Sequence, residues 1–124
     1  MPARKESDWD EAVILDQEHL MDFTGQDVAL VKEILSIFLA NAPVYLEQLA
    51  KSKGSGWRPS AHKLKGAARG IGAWNLARAA ERAELMAEPH MGSEKRQRIV
   101  IDLAQRLRNL VIIIKKSGYI KQPQ

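Results

Sequence analysis

Apolar residues recur every three or four positions along two long stretches of this chain. Val28, Val31, Leu35, Phe38, Leu39, Ala42, Leu46 and Leu49 form the first set, and Val100, Leu103, Ala104, Leu107, Leu110, Val111 and Ile114 the second. That spacing gathers them on one face of an α-helix, and two long amphipathic helices must bury those faces against something. No segment alternates apolar and polar residues as a half-buried strand does. The β-branched run Leu110–Ile114 would pass as a strand alone, but it continues a helical stripe.

Start and stop signals divide the chain. Asp16 is a natural N-cap for a short helix over Gln17–Phe23, whose apolar members are Leu20, Met21 and Phe23, and Thr24-Gly25 ends it. Asp27 caps a helix to about Lys51; Pro43 lies inside it, and the apolar pattern on both sides predicts a kink, not a break. A polar, glycine-containing turn over 51–56 precedes a helix from Arg58 or Pro59 to Ile71. Gly70 and Gly72 bracket its end. The next helix spans about 73–87 with Leu76, Ala80, Ala83 and Ala87 inward, and Ser93 caps the last, 94–116. Residues 1–12 and 117–124 are expected to be loose ends around a core of about 14–116, with Trp9 packing back on the body. A chain of 124 residues suits one domain. The expected fold is an all-α antiparallel four-helix bundle with a short extra N-terminal helix.

The central helix carries the chemistry. At about 100° per residue, Arg69 lies roughly 20° from His62, Gly66 roughly 40° to one side and Lys65 roughly 60° to the other. Ala61, Leu64, Ala68 and Ile71 form the opposite, apolar stripe. His62 therefore points away from the core, between cations and beside a glycine. An acid–base histidine generally needs a carboxylate to orient it, and none is adjacent in this stretch. The arrangement suits a nucleophile that carries a phosphoryl group: neutral imidazole attacks phosphorus, and Lys65 and Arg69 offset the added negative charge. Gly66 leaves the ring open to another protein. Its cost of about 0.5–1 kcal/mol against alanine in a helix argues that it is there for a reason.

His62-Lys-Leu-Lys65-Gly66, followed by Gly72 and Leu76, resembles the signature of histidine-containing phosphotransfer (HPt) domains. The segment Ile14–Asp16 through Phe38–Pro43 is similar to the first two helices of that family, so the resemblance covers roughly residues 14–115. It implies that His62 is phosphorylated, that Lys65 stabilises the phosphate and that Gly66 gives the steric opening. Many members carry serine after that glycine, where this chain has Ala67; Arg69 is the residue placed to replace the missing hydroxyl. The first helix borders the docking surface in the family, which makes Leu20, Met21 and Phe23 candidates for partner contact. The implied partners are receiver domains of hybrid histidine kinases and response regulators. The implied function is to accept phosphate from a receiver aspartate and pass it to another receiver. No cofactor is expected on this chain, Mg²⁺ belonging to the receiver, and a monomer is expected.

Other readings are narrower. The chain has no phosphate-cradling glycine loop for ATP. It has no cysteine, which excludes disulfides and thiolate metal sites, and His19 and His90 have no ligand spacing to His62. The longest purely apolar run, 110–114, is far short of the roughly 20 residues of a membrane span, and no apolar N-terminal stretch resembles a signal peptide, so a cytoplasmic protein is expected. A net charge of +4 favours acidic partners mildly. Lys95, Arg96, Arg98, Arg106 and Arg108 raise the alternative of a nucleic-acid-binding helical module, against which stand the interruption by Asp102 and the lack of interleaved aromatics. A third reading is a dimeric histidine-kinase-like core or adaptor without its ATP domain. Such cores carry an acidic residue beside the histidine, where this chain has Lys63.

Overall fold

The computed structural model describes residues 6–119. They form α1 (Gln17–Phe23), α2 (Val28–Lys51), α3 (Trp57–Gly70), α4 (Trp74–Leu85) and α5 (Glu94–Lys116), with a 3₁₀ turn at Gly54–Gly56 ahead of α3 and no strand among the described residues. The expected caps are in place: Asp16, Asp27 and Ser93 accept from the backbone N–H of His19, Leu30 and Arg96. α2 runs unbroken through Pro43. Both ends of α3 and of α4 differ from expectation by one or two residues, α3 ending at Gly70 and α4 starting at Trp74. α3 begins at Trp57, and α4 ends at Leu85, so Ala87 is exposed and not inward.

α2 packs on α3, α3 on α4 and α4 on α5, and α5 returns to α2, closing a four-helix bundle with α1 laid against α2. Val31, Leu35, Phe38, Ala42 and Leu49 of α2 meet Leu103, Leu107, Leu110 and Ile114 of α5 and the apolar stripe of α3 in one core. Each fully buried leucine or isoleucine contributes about 1.5–3 kcal/mol by leaving water. By length and composition alone α2 could cross a membrane. Most of its apolar stripe is instead committed to the bundle, while Ile37 and Val44 stay exposed on the other side; Val28, the first residue of the helix and expected on the stripe, is exposed.

Two polar devices close the ends of the bundle. Arg96, in the first turn of α5, is almost fully buried. It donates to the carbonyls of Ala50 (3.3 Å), Ser52 (2.6 Å) and Pro89 (2.9 Å), and its guanidinium lies 4.9 Å from the Trp57 ring centroid. It thus satisfies carbonyls left open at the C-terminus of α2 and places a cation at the negative end of that helix. Arg106 is also engaged, donating to Glu11 at 2.7 Å and Asp102 at 2.9 Å. The basic run considered for nucleic acid is therefore no free stripe: two of its five cations hold the fold.

The second device corrects the expectation of a loose lead-in. Residues 6–12 are held along α4. Glu81 accepts from Ser7 N–H (3.0 Å) and Ser7 Oγ (2.9 Å), Arg78 pairs with Glu6 at 3.2 Å, and Arg82 makes two 2.8 Å bonds to the Glu11 carboxylate. Trp9 packs back as expected, stacking on Trp74 with ring centroids 5.5 Å apart. At the other end Tyr119 packs against the core and its hydroxyl lies 3.6 Å from Met21 Sδ, so the tail is not loose at its start. Residues 1–5 and 120–124 lie outside the described residues.

The hydrogen bond from Arg82, and after it that from Arg106, outweigh partial burial and lower the Glu11 carboxyl from 4.5 to about 2. A lowered carboxyl contributes stability above its unfolded value, and that contribution is lost as pH falls through the folded value. Glu11→Gln should therefore melt below the parent at neutral pH, with the difference shrinking as pH falls from 4.5 to about 2. Melts followed by circular dichroism across that range check it; a pH-independent difference would contradict the ion-pair account.

Candidate functional site

α3 is divided as its sequence predicts. Ala61, Leu64 and Ala68 are wholly buried, while His62, Gly66 and Arg69 face out. Against the apolar side lies α4, which buries four alanines, Ala77, Ala79, Ala80 and Ala83, together with Leu76, Glu81 and Glu84. Short side chains let the two backbones come close. The indole N–H of Trp57 donates to the carbonyl of Ala83 at 2.7 Å and pins the start of α3 to the last turn of α4. The end of α3 is set by Gly72 at φ +78°, where Gly72 N–H and Ala73 N–H donate to the carbonyls of Arg69 (3.1 Å) and Ala68 (2.9 Å). A Cβ at Gly72 would meet the Asp16 carbonyl at 3.0 Å, so glycine is required there for packing as well as for φ. α3 is thus fixed at both ends.

Close packing brings a residue to the site that the sequence reading did not single out. Glu84, with its side chain only 2% exposed, reaches back to α3; Oε1 lies 2.9 Å from His62 Nδ1 and Oε2 lies 2.6 Å from Lys65 Nζ. Burial pushes the Glu84 carboxyl up, but the hydrogen bonds from Lys65 and His62 more than reverse this and leave it below the ordinary value. An ionised carboxylate only accepts, so Nδ1 of His62 is the donor. The neutral ring then keeps its lone pair on Nε2, which bonds to nothing among the described residues. The His62 side chain is 64% exposed. The orienting carboxylate absent from the stretch around His62 is present in space. Its signal in the sequence is faint: Glu84 follows Ala80 by four residues and Ala77 by seven, which sets an acid on the alanine stripe of one helix face.

The remaining predicted residues separate. Lys65 is not splayed toward solvent with His62; its side chain is 18% exposed and turned onto Glu84. Arg69 is exposed in the last turn of α3. Gly66 opens on free space, with nothing within 4 Å of where a Cβ would stand. Beside it runs a shallow groove between α2 and α3, lined by Ile37, Asn41, Tyr45, Ala67 and Gly70. On the other side His62 borders a groove of about 660 Å³ with Pro59, Lys63, Glu84 and Met86 on its walls. Of the three docking candidates on α1, Leu20 is corrected: it is wholly buried, pointing into the core. Met21 is half-buried, and Phe23 is 63% exposed, with the His19 ring stacked behind it at 6.3 Å.

A family model described as "Hpt domain" matches residues 33–115, which take in most of α2 and all of α3 and α4 together with His62, Lys65, Gly66 and Glu84. The chain belongs to the Hpt-domain family. That membership places it in phosphotransfer within two-component phosphorelays, where Hpt domains interact with receiver domains. No curated protein and no solved structure matches the chain significantly.

The open space at Gly66 separates stability from access. Gly66→Ala should stabilise the Hpt bundle by about 0.5–1 kcal/mol through helix propensity and unfolded-chain entropy. Gly66→Gln should keep most of that gain while crowding the approach to His62. Thermal melts paired with transfer rates check this: both variants as stable as the parent or more so, with transfer reduced modestly for alanine and steeply for glutamine. Unfolding of the glutamine variant would mean that this face is packed.

Proposed function

We propose that this Hpt protein carries a phosphoryl group on Nε2 of His62, taking it from the aspartyl phosphate of one receiver domain and giving it to an aspartate of another. The observation that carries this reading is the 2.9 Å bond between Nδ1 and the buried Glu84 carboxylate, which leaves the Nε2 lone pair without a partner among the described residues on an exposed ring. In the forward step that lone pair attacks phosphorus, the P–O bond to the receiver's aspartate breaks, and the carboxylate leaves. The proton on Nδ1 stays where it is. Glu84 then faces the positive charge that develops on the phosphorylated ring. Onward transfer runs the same bonds in reverse toward a second receiver.

The in-line geometry and the Mg²⁺ are supplied by the receiver in this reading, and the chain itself contributes no nucleotide site. The receiver approaches over Gly66, where no side chain obstructs it, with Phe23 and the exposed Ile37 and Val44 of α2 as the apolar contacts. Exposed Lys63 and Arg69 favour its acidic pocket. A bundle closed by one chain's own four long helices supports a monomer over the dimeric kinase-core alternative. A cytoplasmic site of action agrees with receivers as partners.

Incubation with a radiolabelled phosphorylated receiver domain should transfer an acid-labile label to the parent and none to a folded His62→Gln variant. ATP and Mg²⁺ alone should label neither. Equal labelling of the variant would remove His62 from the carrier role, and labelling by ATP alone would favour the kinase-core reading.

A further inference from the structure

Lys65 and Glu84 form a nearly enclosed ion pair, and the placement of each decides what the lysine can do. Both carboxylate oxygens are in use, Oε1 by His62 and Oε2 by Lys65. The lysine side chain is 18% exposed against 64% for the histidine, and its ammonium is seated 2.6 Å from Oε2 of the α4 carboxylate that takes Nδ1, the ring nitrogen opposite the open Nε2. To reach a phosphoryl group on Nε2, Lys65 would have to leave Glu84. That would strip a buried carboxylate of its cation, a larger loss than a water-screened hydrogen bond to an exposed phosphate returns.

We infer that Lys65 serves phosphotransfer through Glu84 and not by contact with the phosphoryl group: Lys65 and Glu84 are positioning residues that hold the Nδ1–H of His62. The inference rests on His62 being the phosphoryl carrier. Its chemical consequence lies in the leaving group. When an acceptor carboxylate attacks phosphorus, the N–P bond breaks and its electron pair returns to Nε2. With Nδ1 still protonated the ring departs as neutral imidazole; without that proton it would have to depart as an imidazolide anion, a far poorer leaving group. The Glu84 carboxylate retains the proton on the phosphorylated ring, and Lys65 fixes that carboxylate in the one orientation that meets Nδ1. The charge that meets the phosphate itself then falls to the exposed Arg69 and to the receiver.

The test is a cycle of Lys65→Met, Glu84→Gln and the double variant, with onward transfer from phosphorylated protein measured across pH. Each single variant should slow transfer about tenfold, the scale of one charge-assisted hydrogen bond. Lys65→Met added to Glu84→Gln should change the rate less than about twofold, since a residue acting through another has no effect once that partner is gone. The rate of the parent should also persist to higher pH than that of Glu84→Gln. A tenfold loss from Lys65→Met in both backgrounds would show direct contact with the phosphoryl group and overturn the inference. Should Glu84→Gln fail to fold, nitrogen-15 NMR of the phosphorylated ring in parent and Lys65→Met decides: a weakened or lost Nδ1–H in Lys65→Met supports the inference, and slowed transfer with the Nδ1–H unchanged overturns it. If the parent takes no phosphate on His62, the carrier reading itself is what has failed.

Discussion

The approach of α4 to α3 is the constraint on which the site depends. Ala77, Ala80 and Ala83 of α4 and Ala61, Leu64 and Ala68 of α3 share one buried core, and small residues let the packed helices come near enough for Glu84 to reach across to His62. A carboxylate this deeply buried is costly unless its charge is matched. Lys65 matches the charge and His62 takes the second oxygen, so packing, ion pair and ring orientation stand or fall together. The Trp57 indole bonded to Ala83 fastens the two helices beside the site, and the Arg96 guanidinium over the same ring ties α5 into that end of the bundle.

The N-terminal segment extends this logic to the other side of α4. Residues 6–12 lie along the helix through Glu81, Arg78 and Arg82, while Glu84, one turn on from Glu81, serves His62. α4 is thus braced on both sides by charged groups set into an alanine-rich helix. A short helix with few large side chains has little apolar area to bury, and these bonds supply the fixation that larger residues would otherwise give. Asp16 joins the two regions: it caps α1, accepts from the Trp74 indole at 3.0 Å, and bonds through its N–H to the carbonyl of Gly72 at the end of α3.

Much of this was legible in the residues because it depends on local rules. The apolar stripes of α2 and α5, the three side-chain caps and the outward facing of His62 and Gly66 follow from spacing and chain conformation. What was not legible depends on distance in space between residues far apart in the chain. Glu84 reads in sequence as one more charge after Glu81 and Arg82, and its role exists only because α4 presses on α3. Angle alone puts Lys65 on the outward stripe, but a long flexible side chain goes where the nearest buried charge is. Leu20 and Phe23 sit three residues apart on a short helix, and only packing tells which is core and which faces solvent. Arg96 and Arg106 read as members of a run of cations, and their acceptors come from elements distant in the chain.

The central claim is that Glu84 holds the proton of His62 on Nδ1 and leaves Nε2 as the nucleophile. Nitrogen-15 NMR of the imidazole in the unphosphorylated protein at neutral pH tests it most directly. The account predicts that the one-bond proton coupling and the pyrrole-type shift belong to Nδ1, that Nε2 shows the shift of an unprotonated nitrogen, and that phosphorus coupling appears at Nε2 after phosphorylation. A proton on Nε2 with a bare Nδ1, or phosphorus coupling at Nδ1, would contradict it.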